Sequence, residues 1–257
     1  GVAALAVAIL TAVQMIVTKQ GVPDPSLMVL LTAIVMGLVN TFRDQTVTFQ
    51  GLDFRGADFS GTQLQQVRFD RCDLTGVAFR GAQLDKVAFV GSDLTRTNLA
   101  DTRQVAVDFA GSRLAETSFQ RASVLSARLQ DAVLESLDCR GTSFERTHFD
   151  GLRLDRVQFE KNTCKACDFT GASLAGRDLS GCDLTDSDFT GADLAGAQLA
   201  DCTLTGATFR NAKLAGMLLD AGKPEAALEA AKRALAAAPD LAAAHAVVGA
   251  VAAAKGD

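Results

Sequence analysis

Residues 191–209 read GADLAGAQLADCTLTGATF and place a large apolar side chain at every fifth position. These side chains belong to Leu194, Leu199, Leu204 and Phe209. A period of five fits neither an amphipathic helix, which repeats about every 3.6 residues, nor a half-buried strand, which alternates at every second residue. The stretch therefore predicts a backbone that turns a corner every five residues and points one large side chain inward per side.

The five-residue step extends from Phe49 to Phe209. Of the 33 positions on this step, 29 are Leu or Phe, and at 28 of the 33 the residue two places earlier is Ala, Cys, Ser, Thr or Val. An internal repeat this regular outweighs local propensity as a guide to the fold. At the step itself the exceptions are Gln104, Val124, Cys139 and Cys164. Because Gln104 is polar, we expect a bulge or an irregular coil around it.

Like residues also recur at a spacing of 20. The series that starts at Phe49 is Phe at every position except Leu129, and the series from Leu74 to Leu194 is Leu throughout. Stacking of like side chains at this spacing predicts a four-sided coil with one pentapeptide per side. Glycine often follows the large residue by two places, which suits a corner with unusual dihedral angles. About eight coils, spaced by about 4.8 Å, predict a rod roughly 40 Å long.

The segments GADLAGAQL, CDLTDSDF and GSDLTRTNL resemble the pentapeptide-repeat family, whose repeats centre on A(D/N)Lxx. The resemblance covers the central region of the chain and implies a right-handed quadrilateral β-helix. The predicted fold class is therefore an all-β solenoid core over residues 43–210. We expect an N-terminal hydrophobic helical hairpin and C-terminal α-helices on its two sides.

Residues 1–42 are almost free of charge. No charged residue occurs in Val2–Thr18 or Ser26–Phe42, and the turn-like stretch KQGVPDP lies between these two segments. We predict a transmembrane helical hairpin, although each segment is shorter than the roughly 20 apolar residues that span a bilayer. The alternative is a buried helical cap on the first coil.

Residues 211–257 change to an Ala- and Leu-rich composition. The run DAGKPEAALEAAKRALAAAPDLAAAHAVVGAVAAAKGD has Pro224 at a helix start and resembles a tetratricopeptide repeat. About one repeat plus one helix is present, whereas arrays need three or more. We expect this segment to cap the β-helix or to form a homo-oligomer with a second copy.

The sequence contains no recognisable set of catalytic residues. The two histidines are His148, which precedes inward Phe149 and should face solvent, and His245 in the C-terminal segment. No nucleophile with its base and no phosphate-binding loop can be assembled. We therefore predict a protein that is not an enzyme and has no catalytic, cofactor-binding or metal-binding residues.

The six cysteines are interpreted as reduced structural residues. Cys164 and Cys167 form a lone CxxC at inward repeat positions, which is a weak zinc signal without a second pair. Cys182 and Cys202 are 20 residues apart, so they stack on neighbouring coils. Reduced thiols favour the cytosol.

Charge is balanced along most of the rod and acidic at its end. The chain has a net charge of −5, but residues 43–177 hold 18 basic and 18 acidic residues. Residues 178–209, the acidic segment, contain six aspartates and no Lys or Arg. Such a segment could attract a basic partner, or it could simply reflect the Asp of the repeat consensus. Its aspartates are Asp178, Asp183, Asp186, Asp188, Asp193 and Asp201.

The sequence is compatible with two classes of function. The first is a membrane-anchored scaffold for protein–protein interactions, held at the bacterial inner membrane by residues 1–42 with its β-helix facing the cytoplasm. It would bind protein partners and no nucleic acid directly. The second is a DNA mimic that binds a type II topoisomerase and modulates DNA gyrase, as some members of the resembled family do.

Overall fold

The computed structural model describes residues 24–199 and 201–213, which form one helix followed by short strands. The helix is α1, Pro25–Thr41. The strands are β1 (Val47–Gln50), β2 (Gln63–Gln65), β3 (Val67–Asp70), β4 (Gln83–Asp85), β5 (Arg103–Val105), β6 (Ser123–Leu125), β7 (Ser143–Glu145) and β8 (Thr163–Lys165). The predicted C-terminal helices lie outside the described residues.

Every strand pairs in parallel with residues 20 positions further along the chain. β1 pairs with β3, and the remaining strands form one sheet in the order β2-β4-β5-β6-β7-β8, in which Leu64, Leu84 and Gln104 are in register. This register confirms the four-sided coil. The six-stranded sheet gives about six turns of regular strand, fewer than the eight coils predicted. Single backbone bridges continue the same spacing as far as Asp193 and Lys213.

The rod has four faces, which we number by their inward side chains. Face 1 holds the series from Phe49 to Phe209, and face 2 holds the series from Phe54 to Leu194. Face 3 holds the series from Phe59 to Leu199, and face 4 holds the series from Leu64 to Leu204. The residue before each inward residue points outward, and bridges join these outward residues from coil to coil.

Aromatic stacking on face 1 fills the core. The rings of Phe149 and Phe169 are 5.0 Å apart and 4° from parallel, and Phe169 and Phe189 are 4.8 Å apart and 3° from parallel. Each such pair contributes about 0.5–1.5 kcal/mol beyond the burial of its apolar surface. The stack therefore holds neighbouring coils at a fixed spacing and in a fixed register.

Small polar residues inside the rod bond to backbone carbonyls. Ser92 Oγ donates to the carbonyl of Phe69, and Thr142 Oγ1 donates to that of Phe119, at 2.9 and 2.7 Å. In both cases the acceptor lies on the preceding coil, 23 residues earlier. Thr102 and Ser112 instead donate to the carbonyl three residues earlier on their own coil. Hydroxyl side chains are therefore tolerated in the core because they find backbone acceptors, and some of them tie two coils together.

The corners require the left-handed backbone conformation. Gly181 and Gly191 have φ of 71° and 67°, as the sequence predicts for corner glycines. Many corners carry other residues in the same conformation, such as Ala106 at φ 50° and Ala166 at φ 51°. Because a Cβ disfavours this region, the coil geometry forces a local cost at these corners.

Gln104 does not distort its coil, so the predicted bulge is wrong. It lies within β5 in regular register with Leu84 and Val124, and it is 1% exposed. Its Nε2 donates to Thr102 Oγ1 at 2.9 Å, while its Oε1 has no hydrogen-bond partner. Pairing with the coils on both sides therefore overrides the polarity of the side chain.

Coil pairing is interrupted once on face 2 and once on face 3, where no bridge in the described part of the chain joins Gln158 to Asp178. The interruption on face 2 opens a groove. Within the described residues, bridges join Arg113 to Val133 and Arg153 to Ser173, but none joins Val133 to Arg153. Val133 is 42% exposed here. A groove of about 490 Å³ opens between the coils, lined by residues 131–135, 151–153, 155 and 156.

Helix α1 covers the first coil of the rod. Asp24 caps its N-terminus by accepting the Ser26 N–H at 2.7 Å, and Pro25 occupies its first turn, where a missing N–H costs nothing. One face of α1 is buried in the same core cluster as the rod, with Met28 beside Gly56. The buried residues of this face are Met28, Leu31, Val35 and Val39.

The second half of the predicted hairpin is thus a helix that packs on the rod. The first half, residues 1–23, lies outside the described residues, so the hairpin stays a prediction. No helix in the described part of the chain is long and apolar enough to cross a membrane.

The substitution Gln104→Leu is expected to stabilise the rod. The neighbouring coils carry Leu84 and Val124 at the equivalent position, and a leucine at position 104 removes a buried acceptor without a partner. Loss of one such acceptor raises the free energy of unfolding by about 1–3 kcal/mol. Urea unfolding followed by circular dichroism measures the change. Gln83→Leu, at an exposed position on the same face, serves as control, and a lower midpoint for Gln104→Leu would contradict the reading.

The substitution Ala106→Gly is expected to stabilise a corner. Glycine adopts φ of 50° without the Cβ penalty, and we expect a gain of about 0.5–1 kcal/mol in the free energy of unfolding. Ala110→Gly is the matched control, because Ala110 is not among the residues with positive φ. The control should lose stability, and equal effects of the two changes in thermal unfolding would count against strain at the corners.

Candidate functional site

Many outward positions of the rod carry aspartates whose side chains accept hydrogen bonds from the backbone. Asp53, Asp93 and Asp168 each precede an inward residue, and each accepts a hydrogen bond from the backbone N–H two residues later, at 2.9 Å. One carboxylate oxygen is therefore used to hold the turn, which is an Asx-type contact. The other oxygen accepts from a side chain of the same turn, as Asp53 Oδ2 does from Arg55, or faces a neighbouring coil, as Asp168 Oδ2 does towards His148.

The acidic segment does not form one patch. Asp178, Asp183, Asp188 and Asp193 lie on faces 3, 4, 1 and 2 in turn, so they surround the rod. Asp186 and Asp201 lie at corners, where both have left-handed φ. The structure therefore distributes the six predicted residues as a belt around the C-terminal coils, because four successive pentapeptides occupy four different faces.

Several aspartates of this belt already have partners. Asp183 lies 3.1 Å from Lys165 Nζ, and Asp193 lies 3.3 Å from Lys213 Nζ. Burial opposes ionisation of Asp183, but hydrogen bonds from Thr185 and Lys165 outweigh it and lower its pKa. The lowered pKa keeps the Asp183 carboxylate charged, and nearby lysines compensate part of the charge of Asp183 and Asp193 locally.

Charges of both signs alternate along the rest of the rod. Arg80 and Arg121 both contact Asp101, at 3.1 and 2.8 Å. Hydrogen bonding by Arg140 lowers the pKa of Asp138 to about 2, despite the opposing effect of burial. The surface over these coils is therefore a mosaic of ion pairs and does not present a continuous negative charge.

The cysteines fill the interior, as predicted. Cys164 and Cys167 are each 1% exposed, and all six cysteines are free thiols. Burial raises the pKa of Cys182 to about 11 and that of Cys202 to about 12. Thiols of this kind stay protonated near neutral pH and are poor nucleophiles and metal ligands.

His148 lies in a cluster of side chains that the sequence did not predict. His148 faces solvent, as predicted, but it lies close to Asp150 and Asp168, and the possible ligand atoms of all three are within 4.8 Å of one another. His148 and Asp168 are 20 residues apart, so the coil repeat could have revealed the pair. The second histidine, His245, lies outside the described residues.

Two family descriptions match the chain. Pentapeptide repeats match in eight copies over residues 47–76, 127–161 and 167–206, and a pentapeptide repeat region matches over residues 62–139. A comparison with curated proteins finds no match. Together the family matches cover nearly all of the coils seen in the structure.

Solved structures of similar proteins include two with named roles. A trypsin-treated form of QnrB1, a plasmid-mediated fluoroquinolone resistance protein, is 20% identical, with a TM-score of 0.51 over 68% of this chain and 90% of QnrB1. HetL of the cyanobacterium Nostoc sp. strain PCC 7120, a pentapeptide repeat protein involved in heterocyst differentiation regulation, is 23% identical, with a TM-score of 0.32 over 71% of this chain and 95% of HetL.

At this identity the likeness to QnrB1 is a likeness of fold. The five-residue step, the register of 20 residues and the family matches all describe the same stretch of chain. This protein belongs to the pentapeptide-repeat family.

Proposed function

We propose that this protein is a non-enzymatic scaffold whose rod binds protein partners through its outward side chains. The observation that carries the proposal is the register of 20 residues, which places outward side chains in straight ladders on four faces. On face 3, for example, bridges connect Asn98, Ser118 and Asp138 in one line. Solenoids typically use such extended surfaces to bind other proteins.

Rigidity supports binding by these ladders. Outward side chains are anchored to a backbone that pairs with the coils on both sides, and the stacked core beneath them is fully buried. A surface that is ordered before binding loses little conformational entropy when a partner docks. A partner with a complementary mosaic of charges would therefore recognise both the spacing and the sign of the side chains.

The alternative of a duplex mimic has less support. Double-stranded DNA carries one negative charge per roughly 1.7 Å of its axis. Residues 43–177 have equal numbers of acidic and basic residues, and the acidic segment forms a belt around a short part of the rod. The charge pattern therefore favours a protein scaffold over a ligand of a type II topoisomerase.

The scaffold is further proposed to attach to the bacterial inner membrane through residues 1–42, with the rod in the cytoplasm. Val2–Thr18 has no charge, and Val29 and Leu30 on α1 are 72% and 48% exposed. Free thiols fit a reducing compartment. Residues 211–257 are proposed to support self-association, because their sequence resembles a single tetratricopeptide repeat and such repeats are stabilised by neighbours.

Site-specific photo-crosslinking in cells tests the scaffold. The crosslinker is placed singly at exposed positions on the four faces: Gln130, Arg153, Arg140 and Gln83. Because a docked protein covers one or two adjacent faces, we expect discrete adducts from those faces and none from the opposite face. Adducts from no face, or equal diffuse adducts from all four, would overturn the proposal.

Membrane attachment is tested with the double variant Val7→Asp and Leu10→Asp. Each charge at the centre of a span costs about 3 kcal/mol on insertion scales. We expect the native chain to remain in a carbonate-washed membrane pellet and the variant to move to the supernatant. Val133→Asp, which adds a charge at an exposed apolar position of the rod, should behave like the native chain. Recovery of the native chain in the supernatant would contradict membrane attachment without touching the scaffold proposal.

A further inference from the structure

We propose that His148, Asp150 and Asp168 bind a divalent transition-metal ion such as Zn²⁺ on face 1 of the rod. Their potential ligand atoms, one imidazole nitrogen and two carboxylate oxygens, all lie within 4.8 Å of one another. Among the described residues this is the one group of three or more His, Cys, Asp or Glu side chains with such spacing. The proposal does not depend on the scaffold function.

The coil register brings the ligands together. A parallel backbone bridge joins His148 to Asp168 across neighbouring coils. Directly beneath them, the rings of Phe149 and Phe169 stack at 5.0 Å. Asp150 follows Phe149 and lies next to His148 on the same coil. The backbone positions of the three ligands are thus set by the repeat before any ion binds.

The carboxylate of Asp168 is oriented for binding. Its Oδ1 accepts the backbone N–H of Thr170 at 2.9 Å, which leaves Oδ2 directed towards His148. This kind of support, in which a hydrogen bond holds a ligand side chain in place, is usual around protein metal sites.

The distance between the ligand atoms of His148 and Asp168 is close to that expected for two ligands of one metal ion. His148 Nδ1 and Asp168 Oδ2 are 3.7 Å apart, which is too far for a direct hydrogen bond. Zinc bonds of about 2.0–2.1 Å place two ligands of a tetrahedral ion about 3.4 Å apart, so a small side-chain shift completes the geometry. Within the part of the chain that the structure describes, the side chains of His148 and Asp150 make no hydrogen bond that would have to break.

The donor set selects the class of metal. One imidazole nitrogen with two carboxylate oxygens suits Zn²⁺ and neighbouring transition metals better than Mg²⁺ or Ca²⁺, which prefer oxygen ligands alone. Three protein ligands leave a fourth position for water or for a ligand from outside. The side chains of His148 and Asp168 are 54% and 36% exposed, so an ion can enter from solvent.

Two neighbours on the same outward ladder modulate the charge of the site. Arg128 is bridged to His148 on one side, and Asp188 is bridged to Asp168 on the other. Asp188 adds negative charge, whereas Arg128 opposes a cation. Asp150, Asp168 and Asp188 together outnumber Arg128, so the net charge around the site is negative. Because Arg128 repels a cation, we expect Arg128→Gln to bind the metal more tightly.

Isothermal titration of the full-length protein with Zn²⁺ tests the proposal. We expect one ion per chain, and we expect His148→Ala and Asp168→Asn each to weaken binding at least about tenfold, as loss of supporting groups alone already does. All three ligands are on the surface, and circular dichroism checks that the variants remain folded.

Two controls separate this site from other ligands of the chain. Asp108→Asn removes a carboxylate from the same ladder, where Asp108 Oδ1 also accepts the N–H two residues later, but it lies two coils from His148. His245→Ala removes the other histidine. Both variants should bind Zn²⁺ with the affinity of the native chain.

Cobalt provides a readout that identifies the donor atoms. Co²⁺ in the proposed site should show d–d absorption without the intense thiolate-to-cobalt charge-transfer band, because no cysteine takes part. A thiolate band would assign the ion to the cysteines and overturn the proposal. So would failure of the native chain to bind Zn²⁺ stoichiometrically, or binding by His148→Ala within about twofold of the native value.

Discussion

Parallel backbone pairing between residues 20 positions apart fixes both the core and the surface of this rod. It sets the stacking of the phenylalanines on face 1, where Phe169 and Phe189 lie 4.8 Å apart, and it sets the spacing of the outward ladders. It also explains why Gln104 can remain inside the rod, since the coils on both sides pair with β5 whatever its side chain is. On face 2, where no bridge joins Val133 to Arg153, a groove lies between the two coils.

The outward aspartates both stabilise the turns and contribute charge to the surface. An outward aspartate such as Asp178 accepts the backbone N–H of Ser180, and hydrogen bonds from Ser180 lower the pKa of Asp178. The aspartates at the outward positions of this chain therefore stabilise its turns in addition to charging its surface. The acidic segment appears continuous in sequence, yet its members surround the rod because each pentapeptide turns the chain onto the next face. For this reason, charge along the sequence is a poor guide to charge on one surface.

Surface sites on this rod arise between coils. His148 and Asp168 are distant in sequence and adjacent in space, whereas Cys164 and Cys167 are close in sequence but buried as core residues. A motif search that looks for ligands a few residues apart finds the cysteine pair and misses the histidine. A search at the spacing of 20 residues finds His148 and Asp168, but it does not show that Asp150 turns towards them. The proximity of the third ligand depends on side-chain orientation in the folded coil.

The sequence alone determined the period, the four-sided coil and the identity of the inward residues, because a strict repeat forces every coil into the same geometry. It also determined that His148 faces solvent and that the cysteines fill the core. Only the tertiary structure decided that Gln104 causes no bulge, that α1 buries Met28 and Val35 against the rod, and that the six aspartates form a belt. These outcomes depend on competition between a side chain and its neighbours on other coils. These outcomes cannot be predicted from local sequence, because the contacts that decide them are made by residues about 20 positions away or at the end of the solenoid.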